Sequence, residues 1–371
     1  MKLMKIKFLN ESNHILKVFF LFVSLSIYSQ NKNTFDSNLN NSLNFNLDKF
    51  KEMSKSNNAY NFMTLGYFIN ANNNMYLKSG DILYLYNNLE IIKPILIDSS
   101  SVNNYNKNKW KMNVSKNNQN AIVNGREHLI SEGYFFRYIG EFLDIISENN
   151  IFIQYQSSIC SGLINSFSKW KDKSFKQYGD YSLLFHQRLH IGANWAIVAL
   201  YLNKFDSKNS KDYMTFINIF DNQLEKALQL KEENGQKFYV WSSSYPEKFC
   251  KALKNIKNYS TLIQDVSHGN HVVLYLLKSK ELKNRNWTEF NFSYLINTLK
   301  IKILKPHNIS DNVDGTFENN GKSTGWKISD GWYKLIYMDK SLYPIFQNSL
   351  KIHQNNIKNS FLESQFNSIY L

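Results

Sequence analysis

The chain contains few of the residues that interrupt or cross-link a fold. Of its 371 residues, four are proline, 14 are glycine and two are cysteine. Two cysteines exclude a disulfide-rich scaffold, and the low glycine content excludes a collagen-like chain. No long heptad run is present, which excludes an extended coiled coil. A hydrophobic fraction of 43% supplies a sizeable core and excludes a disordered chain. Whether Cys160 and Cys250 pair stays open.

Acidic residues are scarce relative to basic ones. The chain has 44 Lys and Arg against 30 Asp and Glu, which gives a formal net charge of +14. Such an excess favours a polyanionic partner. A cluster of Lys and Arg on one segment is missing, and the N-terminus described next indicates export. We therefore expect a polyanion other than nucleic acid as the partner.

The first 29 residues have the order of a secretory signal. Lys2, Lys5 and Lys7 precede the short apolar run 15–27, and Tyr28-Ser29 follows it. The sequence predicts a signal peptide over 1–29 and a secreted or periplasmic location. The apolar run is too short to span a bilayer comfortably, and we expect no membrane span after cleavage. Because this segment holds four Lys and one Glu, its removal lowers the charge from +14 to +11.

The rest of the chain has the periodicity of helices. Residues 30–55 are polar and rich in Asn, and they predict a flexible leader. From residue 60, apolar residues recur at three- and four-residue steps. The predicted helical segments are 60–70, 76–98, 120–148, 181–203, 211–231, 266–279, 287–304, 326–338 and 342–358. We expect an all-α chain in which residues 56–371 form one monomeric domain, an α/α toroid or incomplete α/α barrel of helical hairpins.

The densest polar cluster is Gln264-Asp265-Val266-Ser267-His268-Gly269-Asn270-His271. Asp265 or Ser267 has the side chain of a helix N-cap. His268 then lies in the first turn, where the positive helix end favours the neutral, basic imidazole. An apolar helix follows, which puts the polar residues at the mouth of a pocket. The alternative is a capping motif with a structural histidine.

A second cluster surrounds residue 190. His186, His190 and Asn194 are four residues apart and share a face if the segment is one helix, with Arg188 pointing elsewhere. They form either a half-buried polar seam or a row of donors for an anionic ligand. The spacings of His186 with His190 and of His268 with His271 also suit a metal ion. No carboxylate is evidently placed to serve as the third ligand. We expect no cofactor and no metal.

The aromatic residues of the C-terminal half suggest two roles. Tyr239, Trp241, Trp326 and Trp332 fall in predicted loops or at helix starts, where such rings either stack on sugars or cover the core. Arg137 shares a face with Tyr134 and Tyr138 and either contributes to a groove or pairs with a neighbouring glutamate.

These motifs resemble those of secreted α/α-toroid polysaccharide lyases of the alginate and glucuronan lyase type. The segment QDVSHGN before an apolar helix resembles their E-D-x-S-H-(A/G) stretch. Phe238-Tyr239-Val240-Trp241 precedes it, and a segment from Asp314-Gly315 through Trp326 and Asp330 follows it, as in that group. The resemblance covers roughly residues 120–345. Gln264 departs from the pattern, since an acidic residue is usual there, and His186 lies near where Asn or Gln is common.

The resemblance implies cleavage of a uronic-acid glycan by β-elimination. A base removes the proton α to the carboxylate, a donor neutralises that carboxylate, and an acid protonates the leaving oxygen. The residues that we assign to base or acid are His268, Tyr239 and His186. His186, Arg188 and Asn194 are the expected carboxylate binders. The other expected substrate-binding residues are Gln264, Asn270, Trp241, Trp326, Trp332 and Arg137.

Two alternatives belong to other classes of protein. A glycoside hydrolase on the same fold needs two carboxylates, and Asp265 with Asp314 or Asp330 is the available pair. A non-catalytic protein that binds acidic glycans needs the groove but no base, and Gln264 in place of an acid favours it.

Overall fold

The structure is a computed structural model of the chain. The residues that it describes are 35–37, 46–56, 58–97, 110–118, 120–257, 259, 262–305, 307–318, 323–358, 360 and 362–369. The predicted signal peptide lies outside these residues, as does most of the segment 30–45. The described chain is mostly helical, which confirms the all-α prediction.

Fourteen helices of the described chain are labelled here in chain order. They are α1 (Leu47–Lys55), α2 (Phe62–Ser79), α3 (Leu83–Ile92), α4 (Leu129–Glu148), α5 (Ile153–Tyr178), α6 (Ser182–Phe185), α7 (Leu189–Phe205), α8 (Ser210–Ala227), α9 (Lys251–Lys254), α10 (Val266–Glu281), α11 (Phe292–Asn297), α12 (Asp330–Lys334), α13 (Leu342–Ile357) and α14 (Glu363–Ile369). The π-helical segments Lys93–Ile97 and Thr298–Ile303 extend α3 and α11.

Two small antiparallel hairpins interrupt the helices. β1 (Gln229–Glu233) pairs with β2 (Gln236–Val240), and β3 (Leu304–Lys305) pairs with β4 (Asn308–Ile309). Asn234 and Gly235 join β1 to β2 with φ of 50° and 75°, the left-handed pair that a tight two-residue hairpin turn requires. The predicted helix over 211–231 therefore ends early, at Ala227, and the following strands were not predicted.

The longer helices pack side by side in a definite order. α2 contacts α4, α4 contacts α7, α7 contacts α10, α10 contacts α12 and α12 contacts α14, which in turn contacts α2. The intervening helices pack on this set, with α3 against α2, α5 against α4 and α7, and α8 against α7. α4 and α7 are buried over almost their whole length, as expected of helices with neighbours on several sides.

The end of the predicted leader is a packed helix. The Asn46 side chain accepts a hydrogen bond from the backbone N–H of Asp48 and caps α1. Phe50 is buried, and its ring lies 4.1 Å from that of Phe68 on α2. Residues 47–55 thus belong to the folded domain, which corrects the predicted boundary at residue 56.

Two further expectations concern cysteines and membranes. Cys160 and Cys250 are both free thiols, which resolves the open question of their pairing. Among the helices of the described chain, none combines the length and apolarity that crossing a bilayer requires.

The predicted helix over 181–203 is two helices with a break at His186. α6 ends after Phe185, and His186 has a φ of 54°, which turns the chain before α7 begins at Leu189. His190 and Asn194 therefore share a face of α7, but His186 is not on that helix. The predicted row of three side chains is wrong in this respect.

The closest approach of α10 and α12 depends on Gly331. A Cβ at this position would meet the carbonyl oxygen of Asn270 at 2.2 Å and the backbone nitrogen of Leu274 at 2.8 Å. We expect Gly331→Ala to lower the free energy of unfolding by about 1–3 kcal/mol, because the two backbones must separate. Urea denaturation measures the change.

Gly269→Ala on α10 is the matched control. Its added Cβ would meet side chains of Trp241 and Val313 at 3.3 Å, not backbone, and the helix gains from alanine. An equal loss of stability in both variants would contradict the close approach of α10 and α12.

Candidate functional site

Two cavities lie where the N-terminal ends of several helices meet. The first has a volume of about 500 Å³ and is lined by Arg188, His190, Ser243, Leu262, Ile263, Gln264, Asp265, His268, Asn312, Thr316 and Glu318. The second, of about 250 Å³, is lined by Tyr60, Met63, Met112, Asn120, His128, Ile130, Ser131, Tyr134, His190 and His268. His190 and His268 line both, so the two cavities adjoin at these imidazoles.

Asp265 fixes the position of His268 at the start of α10. Its carboxylate accepts from the backbone N–H of His268 at 2.9 Å, which caps the helix. The same carboxylate lies 2.8 Å from Nδ1 of His268. Nδ1 is therefore the donor and Nε2 is left as the basic nitrogen. The side chain of His268 is 45% exposed and lines both cavities.

Asp265 keeps its charge in this arrangement. Burial opposes ionisation, but hydrogen bonds from the His268 ring and backbone outweigh it and lower the pKa of Asp265. An ionised carboxylate on one ring nitrogen fixes the orientation of the imidazole, as a general base needs.

His190 stacks on His268 at the first turn of α7. The ring centroids are 4.2 Å apart with an angle of 29° between the planes. Burial, and then the neighbouring His268, hold the pKa of His190 well below its usual value. His190 is thus a neutral, buried ring that supports one face of His268.

A cation and an unsatisfied amide line the first cavity beside His268. Arg188 precedes α7, and its Nη1 donates to Oγ of Ser243 at 2.6 Å. The prediction that Arg188 points away from its neighbours is wrong, since it lines the same cavity as His190. Gln264 donates from Nε2 to the Asp265 carboxylate at 3.1 Å, while its buried Oε1 has no partner in the described protein. A ligand hydroxyl would satisfy that oxygen.

Arg137 and Asn194 lie below the stacked imidazoles and outside both sets of lining residues. Nη1 of Arg137 donates to Oδ1 of Asn194 at 2.7 Å and contacts Nδ1 of His271. Its Nη2 donates to the Tyr138 hydroxyl at 2.6 Å. Arg137 is buried, so these two predicted binding residues hold the floor of the site together.

Asn270 and Asp330 have structural contacts as well. Nδ2 of Asn270 donates to Asp330 at 2.9 Å, and Oδ1 of Asn270 accepts from the backbone N–H of Gly331 at 2.6 Å. The Tyr138 hydroxyl donates to the other oxygen of Asp330 at 2.9 Å. Asn270 and Asp330 are buried and join α10 to α12. The predicted contact of Asn270 with substrate is therefore wrong.

The predicted aromatic subsites do not form at the cavities. Trp241 and Trp332 are almost fully buried and stack at 5.9 Å, and Nε1 of Trp332 donates to the carbonyl of Val266. Trp326 is half-buried against the core. Tyr239 lies on β2 and stacks on Phe290 at 5.3 Å. Burial of both tryptophans corrects their assignment to sugar binding, and Tyr239 lies outside the lining of both cavities.

His186 lies near Arg188 and His190 but outside both sets of lining residues. Burial, followed by the charge of Arg188, lowers the pKa of His186 to about 4. His186 is therefore neutral at physiological pH. It could donate a hydrogen bond to a carboxylate but would not neutralise its charge.

Sequence reasoning missed most residues of the second cavity, among them His128 and Ser131. His128 precedes α4, and its Nδ1 lies 2.7 Å from Oγ of Ser131 in the first turn. Tyr134, one turn further, is buried and packs edge-on against His271 at 4.6 Å. The sequence does contain a signal for this pair. His128 and Ser131 are polar residues three apart at the start of a helix, as Asp265 and His268 are.

The site is built from imidazoles, the guanidinium of Arg188, the carboxylates of Asp265 and Glu318, and helix ends. α4, α7 and α10 begin beside the cavities, and their dipoles favour negative charge there, which at α10 the Asp265 cap already supplies. In the described residues no group of three His, Cys, Asp or Glu side chains is arranged to hold a metal ion. The arrangement suits proton transfer on an anionic substrate.

Comparisons of the chain with protein-family models, with curated proteins and with solved structures found no match.

Two aspartates that we considered for hydrolysis are predicted to respond differently to substitution. Asp330→Asn replaces a buried acceptor of two hydrogen bonds, while Asp314 lies in a turn and accepts from Thr316. We expect Asp330→Asn to cost about 1–3 kcal/mol of unfolding free energy. The control, Asp314→Asn, should change it by less than about 0.5 kcal/mol, since Oδ1 still accepts. Chemical denaturation compares them, and equal effects would contradict the assigned contacts.

Proposed function

We propose that the protein is a secreted polysaccharide lyase that cleaves a uronic-acid glycan by β-elimination. The observation that carries the proposal is the Asp265–His268 pair in the same cavity as Arg188. A base beside a fixed cation is what removal of a proton α to a carboxylate requires.

In the proposed reaction, Nε2 of His268 takes the proton from the carbon next to the uronate carboxylate. The C–H electrons form a C=C bond to the neighbouring ring carbon, and the bond from that carbon to the glycosidic oxygen breaks. Arg188 and the N-terminal end of α7 stabilise the charge that develops on the carboxylate. Oε1 of Gln264 accepts a hydrogen bond from a sugar hydroxyl.

Tyr134 replaces Tyr239 as the proposed acid. Burial, followed by the neighbouring Tyr67, keeps the pKa of Tyr134 well above its usual value, so the phenol retains its proton. Tyr134 lines the second cavity with His190 and His268. A phenol in this place protonates the leaving glycosidic oxygen while the uronate occupies the first cavity.

We also propose that the helices form an α/α toroid. The supporting observation is the succession of contacts from α2 through α4, α7, α10, α12 and α14 back to α2. α3, α5, α8 and α13 alternate with these in sequence, as an outer layer would. The cavities then lie at the end of the toroid where the inner helices begin.

Export, a monomeric state and the lack of a cofactor remain part of the proposal. Export is supported by the signal-like segment 1–29, and an acidic substrate by the charge of +11 that remains without it. A proton-transfer mechanism with His268 and Tyr134 needs no cofactor or metal.

The hydrolase alternative has less support. Such an enzyme needs one carboxyl group that keeps its proton, at a spacing that admits the glycosidic bond. Asp330 is buried beneath the site, and Asp265 has a lowered pKa and is bound to His268. Glu318 is the other carboxylate in the lining of the first cavity.

A panel of polysaccharides tests the proposal. Residues 30–371 are incubated with alginate, glucuronan, pectate, heparan and chondroitin types, and ultraviolet absorbance and reducing ends are followed together. We expect both signals to rise with one substrate class, because elimination leaves an unsaturated uronate. Reducing ends without absorbance would show hydrolysis. Binding without either signal would show a non-catalytic glycan-binding protein.

Substitutions of His268 and Arg188 test their proposed roles in polysaccharide cleavage. His268→Gln should lower kcat by about 10²–10⁴-fold because the base is removed. Arg188→Ala should lower kcat/KM by about 10²–10³-fold, since charge on the carboxylate is no longer stabilised. His307→Gln, at an exposed turn between β3 and β4, is the control and should retain activity. Full activity of His268→Gln would exclude the proposed base.

A further inference from the structure

A third cavity lies at the opposite ends of the helices from the candidate site. Its volume is about 560 Å³, and its lining includes the last turns of α2 and α10. Lys278 on α10 is ten residues after His268, which corresponds to about 15 Å along the helix axis. We call it the lysine cavity, after Lys78, Lys278, Lys280 and Lys334 in its wall.

The carboxylates of the lysine cavity do not balance its ammonium groups. Oε1 of Glu141 accepts from both Lys278 and Lys334, at 2.9 and 3.0 Å. Its Oε2 accepts from Asn70 at 2.9 Å and from Asn73 at 3.2 Å, so both oxygens of this buried carboxylate are in use. Glu281, the other carboxylate in the wall, lies 2.8 Å from Lys278. Four lysines thus face two glutamates, an excess of two positive charges.

Apolar side chains form the rest of the wall. Leu77 is 60% exposed, Tyr337 66% and Met338 41%, and all three line the same cavity with Leu277. Large exposed apolar groups gathered at one concave place mark a binding site more often than scattered ones do.

The local fold accounts for part of this arrangement. Lysines interact favourably with the free carbonyl groups at the C-terminal end of a helix. Nζ of Lys78, on α2, donates to the carbonyl of Ser368 in the last turn of α14 at 2.7 Å. That role does not require exposed leucine, tyrosine and methionine around the same opening. The combination of positive charge and apolar wall calls for a ligand that has both an anionic group and an apolar body.

We propose that the lysine cavity binds a small organic anion, a carboxylate with an apolar chain or ring. The carboxylate lies among Lys280, Lys334 and Lys78, and the apolar part lies against Leu77, Tyr337 and Met338. The site goes beyond the proposed glycan cleavage, and it does not share a lining residue with the two cavities at the helix N-termini.

Calorimetric titration of residues 30–371 with octanoate tests this site. Octan-1-ol and octyltrimethylammonium are the matched neutral and cationic probes. We expect saturable binding of one octanoate per chain, at least about tenfold tighter than either matched probe. Equal binding of octanoate and octanol, or no saturable binding of octanoate, would overturn the proposal.

Variants at the rim locate the bound anion. Lys280→Glu reverses a charge at the cavity without breaking an ion pair in the described chain, and should weaken octanoate binding about tenfold. Tyr337→Ala removes an exposed ring and should weaken it as well. Lys231→Glu, an exposed position on β1, is the control for net charge and should bind like the parent protein. Circular dichroism checks folding, and unchanged binding in both rim variants would place octanoate elsewhere and overturn the assignment. Because no glycan is involved, the result is independent of the lyase proposal.

Discussion

The buried guanidinium of Arg137 is the contact on which the candidate site depends. It joins Asn194 of α7, His271 of α10 and Tyr138 of its own helix, and Tyr138 continues the network to Asp330 of α12. A buried charge is costly unless it is hydrogen-bonded, so this network fixes how four helices approach one another. Beneath the cavities it also replaces a purely apolar core with a polar one.

Burial, and to a smaller extent the charge of Arg137, distinguishes the three imidazoles near the cavities. Burial, and then Arg137, hold the pKa of His271 well below its usual value, and His190 is neutral by burial and by its neighbours. His268 is different because it is half exposed and bound to Asp265. Two neutral rings and one ring with a carboxylate partner are the arrangement from which we propose His268 as the base.

The fold class followed from the sequence, whereas parts of the fold did not. Apolar periodicity located α4, α7, α8, α10 and α13, because each buries a stripe against its neighbours. It divided α2, which is unbroken from Phe62 to Ser79, between the predicted segments 60–70 and 76–98. α5 was not predicted, although it runs for 26 residues, because its exposed face carries many Lys and Ser side chains. The β1–β2 hairpin escaped because all of β1 is exposed and has no alternation of apolar residues.

At the candidate site, the sequence predicted contacts within one helix turn but not contacts between residues far apart in the chain. The cap by Asp265 and the place of His268 follow from positions three residues apart in one helix turn. The stacking of His190 on His268, 78 residues further along the chain, depends on how α7 packs against α10. Residue type alone did not predict the place of Trp241 and Trp332. Both lie in the core, although they were predicted in a loop or at a helix start.

The account rests on a uronate carboxylate lying on Arg188 with its α-carbon beside His268. A crystal structure of the His268→Gln variant with a uronate oligosaccharide that the parent protein cleaves tests this arrangement directly. The account predicts the carboxylate in the first cavity against the Arg188 guanidinium, and the leaving sugar in the second cavity near the Tyr134 hydroxyl. An oligosaccharide bound away from Arg188, or one whose α-carbon faces away from residue 268, would contradict it.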